Sequence, residues 1–300
     1  MFPILPANTA TASFPENDEG MFGYGVHTTK RSMTNLVSNT GVVSSDVAGV
    51  GTARESPAAC EYGGDKAIFG YGLIEGSYVS MSNLVSNAGV VASDVTGVGT
   101  ARGSLGACEY GGDKGIFGFG NPGPYAVTNL VSNAGVVASD TAGVGTARYA
   151  LGACEYGGDK GIFGYGYTDD YVSMSNLVSN AGVVASDTAG VGTARYTVAA
   201  CGYGGDKGIF GFGNAAGVTA ITNLVSNTGV VASDQAAVTG TARQYLAACE
   251  YGGDKGIFGF GSAPYWKNMT NLVSNTGVVA SDQAAETGTT RHQLAACSFN

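Results

Sequence analysis

Histidine is almost missing from this chain: His27 and His292 are the only two in 300 residues, and Trp266 is the only tryptophan. Two imidazoles without a carboxylate cluster make a weak metal site. No nucleophile, base and orienting group stand at a recognisable spacing. The chain is therefore expected to carry no catalytic set, no metal and no cofactor. Positive charge is scarce too. Fourteen Lys and Arg face 23 Asp and Glu, for a net charge of −9. Without a basic stripe, nucleic-acid binding is not expected, and an anionic membrane surface repels such a chain. Long apolar runs are absent, and Pro3 and Pro6 interrupt the first 20 residues. Neither a secretory signal nor a membrane span is expected. No stretch carries the 3.6-residue period and the caps of a helix.

What is abundant is glycine, at 50 residues, and repetition. The string Asn-Leu-Val-Ser-Asn begins at Asn35, Asn83, Asn129, Asn176, Asn223 and Asn271, in steps of 48, 46, 47, 47 and 48 residues. A fixed period in this range marks a repeat architecture. One unit contains Gly-Ala-Cys-Glu-Tyr at 152–156, Gly-Gly-Asp-Lys at 157–160 and Ile-Phe-Gly-Tyr-Gly at 162–166. A variable stretch follows, then Asn-Leu-Val-Ser-Asn at 176–180 and Val-Val-Ala-Ser-Asp at 183–187. Short apolar runs between Gly, Asn and Asp clusters read as strands joined by turns. Gly-Gly-Asp-Lys and Ser-Asn-Ala-Gly are hairpin signals. Each unit is thus expected to hold four strands, around Ala153, Phe163, Leu177 and Val184.

Four strands per unit of this length predict an all-β fold, a six-bladed β-propeller of four-stranded blades. A flat solenoid of the same units is the competing architecture. Residues 1–18, rich in Pro, Ala, Thr and Asn, read as an N-terminal arm, and 19–300 as the propeller. Tyr-Gly-Gly-Asp-Lys occurs five times, from Tyr62, Tyr110, Tyr156, Tyr203 and Tyr251. In place of a sixth copy, the chain enters at Met21-Phe22-Gly23, which matches a second strand, and stops at Ala295–Phe299, which matches a first strand. The C-terminal strand is expected to complete the first blade and close the ring, leaving no open edge.

The order of these elements resembles Kelch-type repeats: an Arg, a small-residue strand, a Gly-rich hairpin, then an apolar strand with aromatics between glycines. The resemblance covers about residues 19–300. It departs from Kelch where outer strands usually carry Tyr and Trp, since these positions read Asn-Leu-Val-Ser-Asn and Val-Val-Ala-Ser-Asp. The wording of the repeat is also similar to repetitive propeller proteins of cyanophages and other aquatic phages. That resemblance implies a virion component made in the host cytoplasm, on a tail, fibre or capsid surface. Its implied partners are other virion proteins or a host surface glycan, with a homo-oligomer within the assembly as a further option. A free carbohydrate-binding lectin with one shallow site per blade is the alternative.

Residues kept in all copies read as scaffold. The cysteines Cys60, Cys108, Cys154, Cys201, Cys249 and Cys297 fall one per unit. Equivalent positions in separate blades are too far apart to bridge, so they are expected to be buried free thiols. Each unit also keeps one Asp and one Arg, such as Asp187 and Arg195. Six copies of an active site are implausible, so each Arg is expected to tie its loop to a carboxylate or carbonyls of the same or next blade.

Residues that differ between copies are where a site is expected. They gather in two places: the loops at 26–34, 73–82, 121–128, 167–175, 214–222 and 262–270, and the residues after each Arg. In an up-and-down blade both emerge on one face. They are rich in tyrosine: Tyr78, Tyr125, Tyr149, Tyr167, Tyr171, Tyr196, Tyr245 and Tyr265, joined by Trp266, Lys267 and His292. Tyr and Trp supply recognition area with little entropy to lose. Tyr265, Trp266 and Lys267 form the strongest patch, suited to stacking on a sugar ring or an aromatic partner.

Overall fold

Eighteen short strands and no helix make up the described residues of this chain. A computed structural model describes residues 18–235, 240–283 and 288–299. The strands are β1 (Glu19–Gly23), β2 (Thr34–Val37), β3 (Ala58–Tyr62), β4 (Lys66–Ile74), β5 (Ser77–Val85), β6 (Gly106–Tyr110), β7 (Lys114–Gly120), β8 (Tyr125–Val131) and β9 (Gly152–Tyr156). The remainder are β10 (Lys160–Tyr167), β11 (Tyr171–Val178), β12 (Ala199–Tyr203), β13 (Lys207–Gly211), β14 (Thr222–Val225), β15 (Ala247–Tyr251), β16 (Lys255–Gly259), β17 (Thr270–Val273) and β18 (Ala295–Phe299). They form six three-stranded antiparallel sheets. Five follow chain order. The sixth is β18-β1-β2, in which the C-terminal strand pairs with β1 from Glu19↔Phe299 to Gly23↔Ala295. The first strand of each sheet packs against the first strand of the next: β3 on β6, β6 on β9, β9 on β12, β12 on β15, β15 on β18 and β18 on β3. The arrangement is propeller-like. Of the expected arm at 1–18, only Asp18 lies within the described residues.

The middle strand of each sheet, such as β10, is buried along almost its whole length. That explains its unbroken apolar run, since both faces meet a neighbouring sheet. Phe163 there meets Phe119 of the preceding unit edge-on, with centroids 5.2 Å apart. Between β9 and β10 the turn puts Gly157 at φ 68° and Gly158 at φ 73°. Side chains are strained there, and glycine is not.

The fourth strand expected around Val184 is absent from the sheets. The segment makes two isolated bridges, Val178↔Val184 and Ser175↔Thr188. Three steps on β11 thus oppose four on the segment, and the register slips by one residue. The side chain of Asn176 occupies the slip. Its Nδ2 donates to the Ala185 carbonyl at 3.0 Å and to Asp187 Oδ1 at 2.9 Å. A side chain replaces the ladder bonds that a strand needs.

Neighbouring units are stapled by the invariant Arg and Asp. Arg148 is fully buried. It lies over the Phe119 ring at 4.3 Å. Its Nε donates to the Tyr165 carbonyl at 2.8 Å and its Nη2 to Asn176 Oδ1 at 2.7 Å. Thr146 closes the same joint, donating from its backbone N–H and Oγ1 to Asp187 at 3.0 and 2.7 Å. The Arg thus ties its loop to carbonyls and an amide, with Asp187 at 3.9 Å completing the charge balance. The same staple joins the chain's two ends, where the Thr289 N–H and Oγ1 donate to Asp46.

All six cysteines are free and buried. Burial pushes the Cys154 thiol well above its ordinary pKa.

Candidate recognition face

Each variable loop is held beside the variable residues that follow an Arg. Bridges join Glu55↔Leu73, Gly103↔Asn121, Tyr149↔Tyr167, Tyr196↔Asn214, Gln244↔Ser262 and Val26↔His292. The Gly-Gly-Asp-Lys hairpins sit at the other end of the middle strands. They link to one another by bonds such as Gly157 N–H to the Asp206 carbonyl at 2.8 Å. Asp18 stands in for the missing sixth hairpin, accepting from Gly252 N–H at 2.9 Å.

Most of the sequence-selected aromatics meet. Tyr171 stacks on Tyr196 at 5.3 Å and 13°, and Tyr167 contacts Tyr149, Tyr171 and Tyr196 at 5.5, 5.7 and 5.6 Å. Tyr245 meets His292 edge-on at 5.7 Å, and Trp266 stacks on His292 at 5.9 Å and 15°. Burial, then the neighbouring Tyr196, push the Tyr245 hydroxyl up to about 12, so it stays a neutral donor. Burial lowers the His292 pKa, which favours neutral imidazole. An arc of rings thus runs from Trp266 through His292 and Tyr245, and on past Tyr196 to Tyr171, Tyr167 and Tyr149. Tyr78 extends it loosely, lying against the backbone of Gly103. Tyr125 opens β8, half-buried, and makes no ring contact with this arc.

The Tyr265 patch is only partly as expected. Tyr265 is 79% exposed. Trp266 is half-buried, because His27 packs on its other side at 4.7 Å. The two histidines are therefore close, each against the tryptophan. His27 Nδ1 donates to the Thr290 carbonyl at 2.8 Å. Lys267 is half-buried, its N–H bonded to the Gly261 carbonyl at 2.8 Å. Among the described residues no group of three or more His, Cys, Asp and Glu is placed to hold a metal. No helix there is long and apolar enough to cross a membrane.

Two features escaped the sequence reading. One is a collar on the variable face. Ser56, Ser104, Ala150, Thr197, Tyr245 and Gln293, the second residue after each Arg, all take left-handed backbone, with φ of 52, 50, 54, 54, 55 and 52°. Their backbones join in sequence. Ser104 N–H donates to the Ser56 carbonyl at 3.1 Å, Ala150 to Ser104 at 2.7 Å, Thr197 to Ala150 at 2.7 Å, Gln293 to Tyr245 at 2.9 Å and Ser56 to Gln293 at 2.8 Å. Collar side chains line a cavity of about 90 Å³, together with Pro57, Leu105, Leu151, Val198, Leu246 and Leu294. No residue type in the sequence marks this position, since Ser, Ala, Thr, Tyr and Gln all occur at it.

The other feature is a set of glutamates after the cysteines: Glu61, Glu109, Glu155 and Glu250, with Gly202 and Ser298 at the two remaining positions. Glu61 and Glu250 line a second, smaller cavity of about 50 Å³. Glu61 Oε1 accepts from Ser298 N–H at 2.7 Å. A Cβ at Gly202 would stand 1.5 Å from Glu250 Oε1, so the missing side chain is what makes room for that carboxylate. Burial, then the neighbouring acids, push Glu109 well up. Burial and Glu61 raise Glu155 to about 7.

Comparison with models of known families found no match, and comparison with characterised proteins found none either.

Proposed function

We propose that the six sheets, each with its bridged outer segment as an irregular fourth strand, are blades of a closed, Kelch-like ring. The ring serves as a non-enzymatic recognition scaffold that binds a glycan through its variable face. The setting proposed is a phage particle, on its tail, fibre or capsid surface, where a neighbouring virion protein is the other partner this face suits. One observation carries the reading: the residues that change between copies lie side by side, and their rings gather in two clusters, Trp266 with His292 and Tyr245, and Tyr149 with Tyr167, Tyr171 and Tyr196, with Tyr196 next to Tyr245. Contiguous, half-buried Tyr and Trp rings suit stacking on sugar faces, and aromatic anchors dominate recognition energetics. The arc occupies some units and not others. That favours one extended site over the alternative of a free lectin with six equal ones.

The test is adhesion of the purified chain to host cells and to a glycan array. Trp266→Ala is expected to weaken retention by about 2 kcal/mol, the usual scale for an aromatic anchor. Asn180→Ala, which removes a bond to Asp159 on the hairpin side, is expected to leave it unchanged. The reverse pattern would move the functional surface to the hairpins. A mass-spectrometric inventory of purified virions tests the setting, and absence of the chain from particles would refute it.

A further inference from the structure

We infer that the collar is a binding subsite for the acetamido group of an N-acetylated sugar, an inference that rests on the glycan-recognition reading above. The first ground is conformational. Left-handed backbone costs a non-glycine residue on the order of 1 kcal/mol or more, and this chain uses glycine freely at left-handed positions elsewhere. All six collar positions nevertheless keep a side chain, and five residue types occur among them. A turn alone would be better served by glycine. The side chains are retained for what they present to the cavity.

The second ground is size and polarity. A cavity of about 90 Å³ equals roughly three waters at about 30 Å³ each. Its depth suits a substituent of three or four heavy atoms, with the rest of a sugar ring at its open mouth. Its lining joins the apolar Pro57, Leu105, Leu151, Val198, Leu246, Leu294 and Ala150 to the hydroxyl and amide side chains of Ser56, Ser104, Thr197, Tyr245 and Gln293, with no charged side chain. An apolar lining with a few placed polar groups is the usual form of a small-ligand site. A carboxylate substituent would meet no counter-charge. A hydroxymethyl has no apolar end for the apolar side chains. An acetamido group offers them its methyl and offers its amide to the polar ones.

The polar side chains have the matching hydrogen-bond roles. Gln293 Nε2 donates to Ser56 Oγ at 3.2 Å, which leaves the Ser56 proton to be donated inward. Thr197 Oγ1 spends its proton on the Tyr196 carbonyl at 2.6 Å and keeps its lone pairs for an incoming N–H. Tyr245 belongs both to the collar and to the aromatic arc. A glycan whose terminal acetamido group enters the collar can therefore lay its following rings toward His292 and Trp266.

The experiment is calorimetric titration of the full chain with N-acetyl-D-glucosamine and with D-glucose. The chains are wild type, Ala150→Tyr, Ser104→Gln and, as the control away from this face, Asn180→Ala; Trp266→Ala is compared with them in glycan-array retention. The collar substitutions copy residues that already stand at equivalent positions, Tyr245 and Gln293, so the turn tolerates them. Wild type should prefer the acetamido sugar at least tenfold, and each collar variant should lose at least tenfold of that binding. Asn180→Ala, on the hairpin side, should keep its affinity for the monosaccharide. Equal binding of the two sugars, undetectable binding of N-acetyl-D-glucosamine, or wild-type affinity in both collar variants overturns the inference. If glycan-array retention falls in Trp266→Ala and not in the collar variants, the face still recognises glycans and the collar inference alone fails. If acetamido binding is lost in the collar variants while Trp266→Ala retains full adhesion, the collar stands and the arc does not.

Discussion

Arg148 shows how one buried residue holds two units together. Its guanidinium lies on an aromatic ring and fills three acceptors, the carbonyls of Thr146 and Tyr165 and the amide oxygen of Asn176. Burial lowers its pKa to about 10, which still leaves it charged at neutral pH. Lysine offers a point charge instead of a planar fork and cannot serve the same acceptors. Arg148→Lys is expected to cost about 2–4 kcal/mol, measured as a lower midpoint in denaturant, because acceptors are left buried and unpaired. Loss of less than about 0.5 kcal/mol would mean the joint is held by packing alone. The cysteines make a second residue-scale prediction. Titration under denaturing, non-reducing conditions should count six free thiols. Two or fewer would reveal disulfides. Trp266 is braced between His27 and His292. Its two imidazole neighbours mean that Trp266→Ala also costs about 1 kcal/mol of stability, at the scale of lost aromatic pairs.

At the scale of elements, β18 is the informative strand, since it completes the sheet that β1 begins. Removing residues 292–300 leaves β1 with an unpaired edge and exposes Met21, Phe22 and Tyr24. The truncated chain should aggregate or melt at least 10 °C lower than the full one. Identical melting would contradict the pairing. This strand was legible in the sequence because Ala295–Phe299 repeats the wording of β3 and β6. The hairpins were legible because paired glycines have one local cause. The fourth segment was legible only in composition: Val-Val-Ala-Ser-Asp reads as a regular strand, but the Asn176 side chain from a neighbouring strand competes for its backbone groups and leaves it isolated bridges. The collar was illegible because left-handed backbone at Ser, Ala, Thr, Tyr and Gln has no local signature. Burial of the glutamates depends on six distant strands meeting.

At the scale of the whole molecule, two sets of acids pull stability in opposite directions with pH. Partial burial raises Asp187, but bonds from Thr146 and Asn176 outweigh it and hold the carboxyl below its ordinary value. Its contribution is present above the ordinary carboxylate pKa and is lost as pH falls through the lower folded value. Glu155 is raised from 4.5 to about 7. Its contribution is present below pH 4.5 and is lost as pH rises through about 7. Stability should therefore peak between about pH 4 and 5 and decline toward pH 8. Glu155→Gln should flatten that decline and gain on the order of 2 kcal/mol at pH 8. An unchanged slope in this variant would remove Glu155 from the account. The joining of β18 to β1 has one more consequence, for synthesis. Glu19 leaves the ribosome about 280 residues ahead of Phe299. At roughly 5–20 residues per second, the first sheet waits on the order of a quarter of a minute to a minute for its last strand. Throughout that wait each new unit offers a first strand of nearly the same wording. Translation speed therefore helps decide whether the correct end is the one that docks.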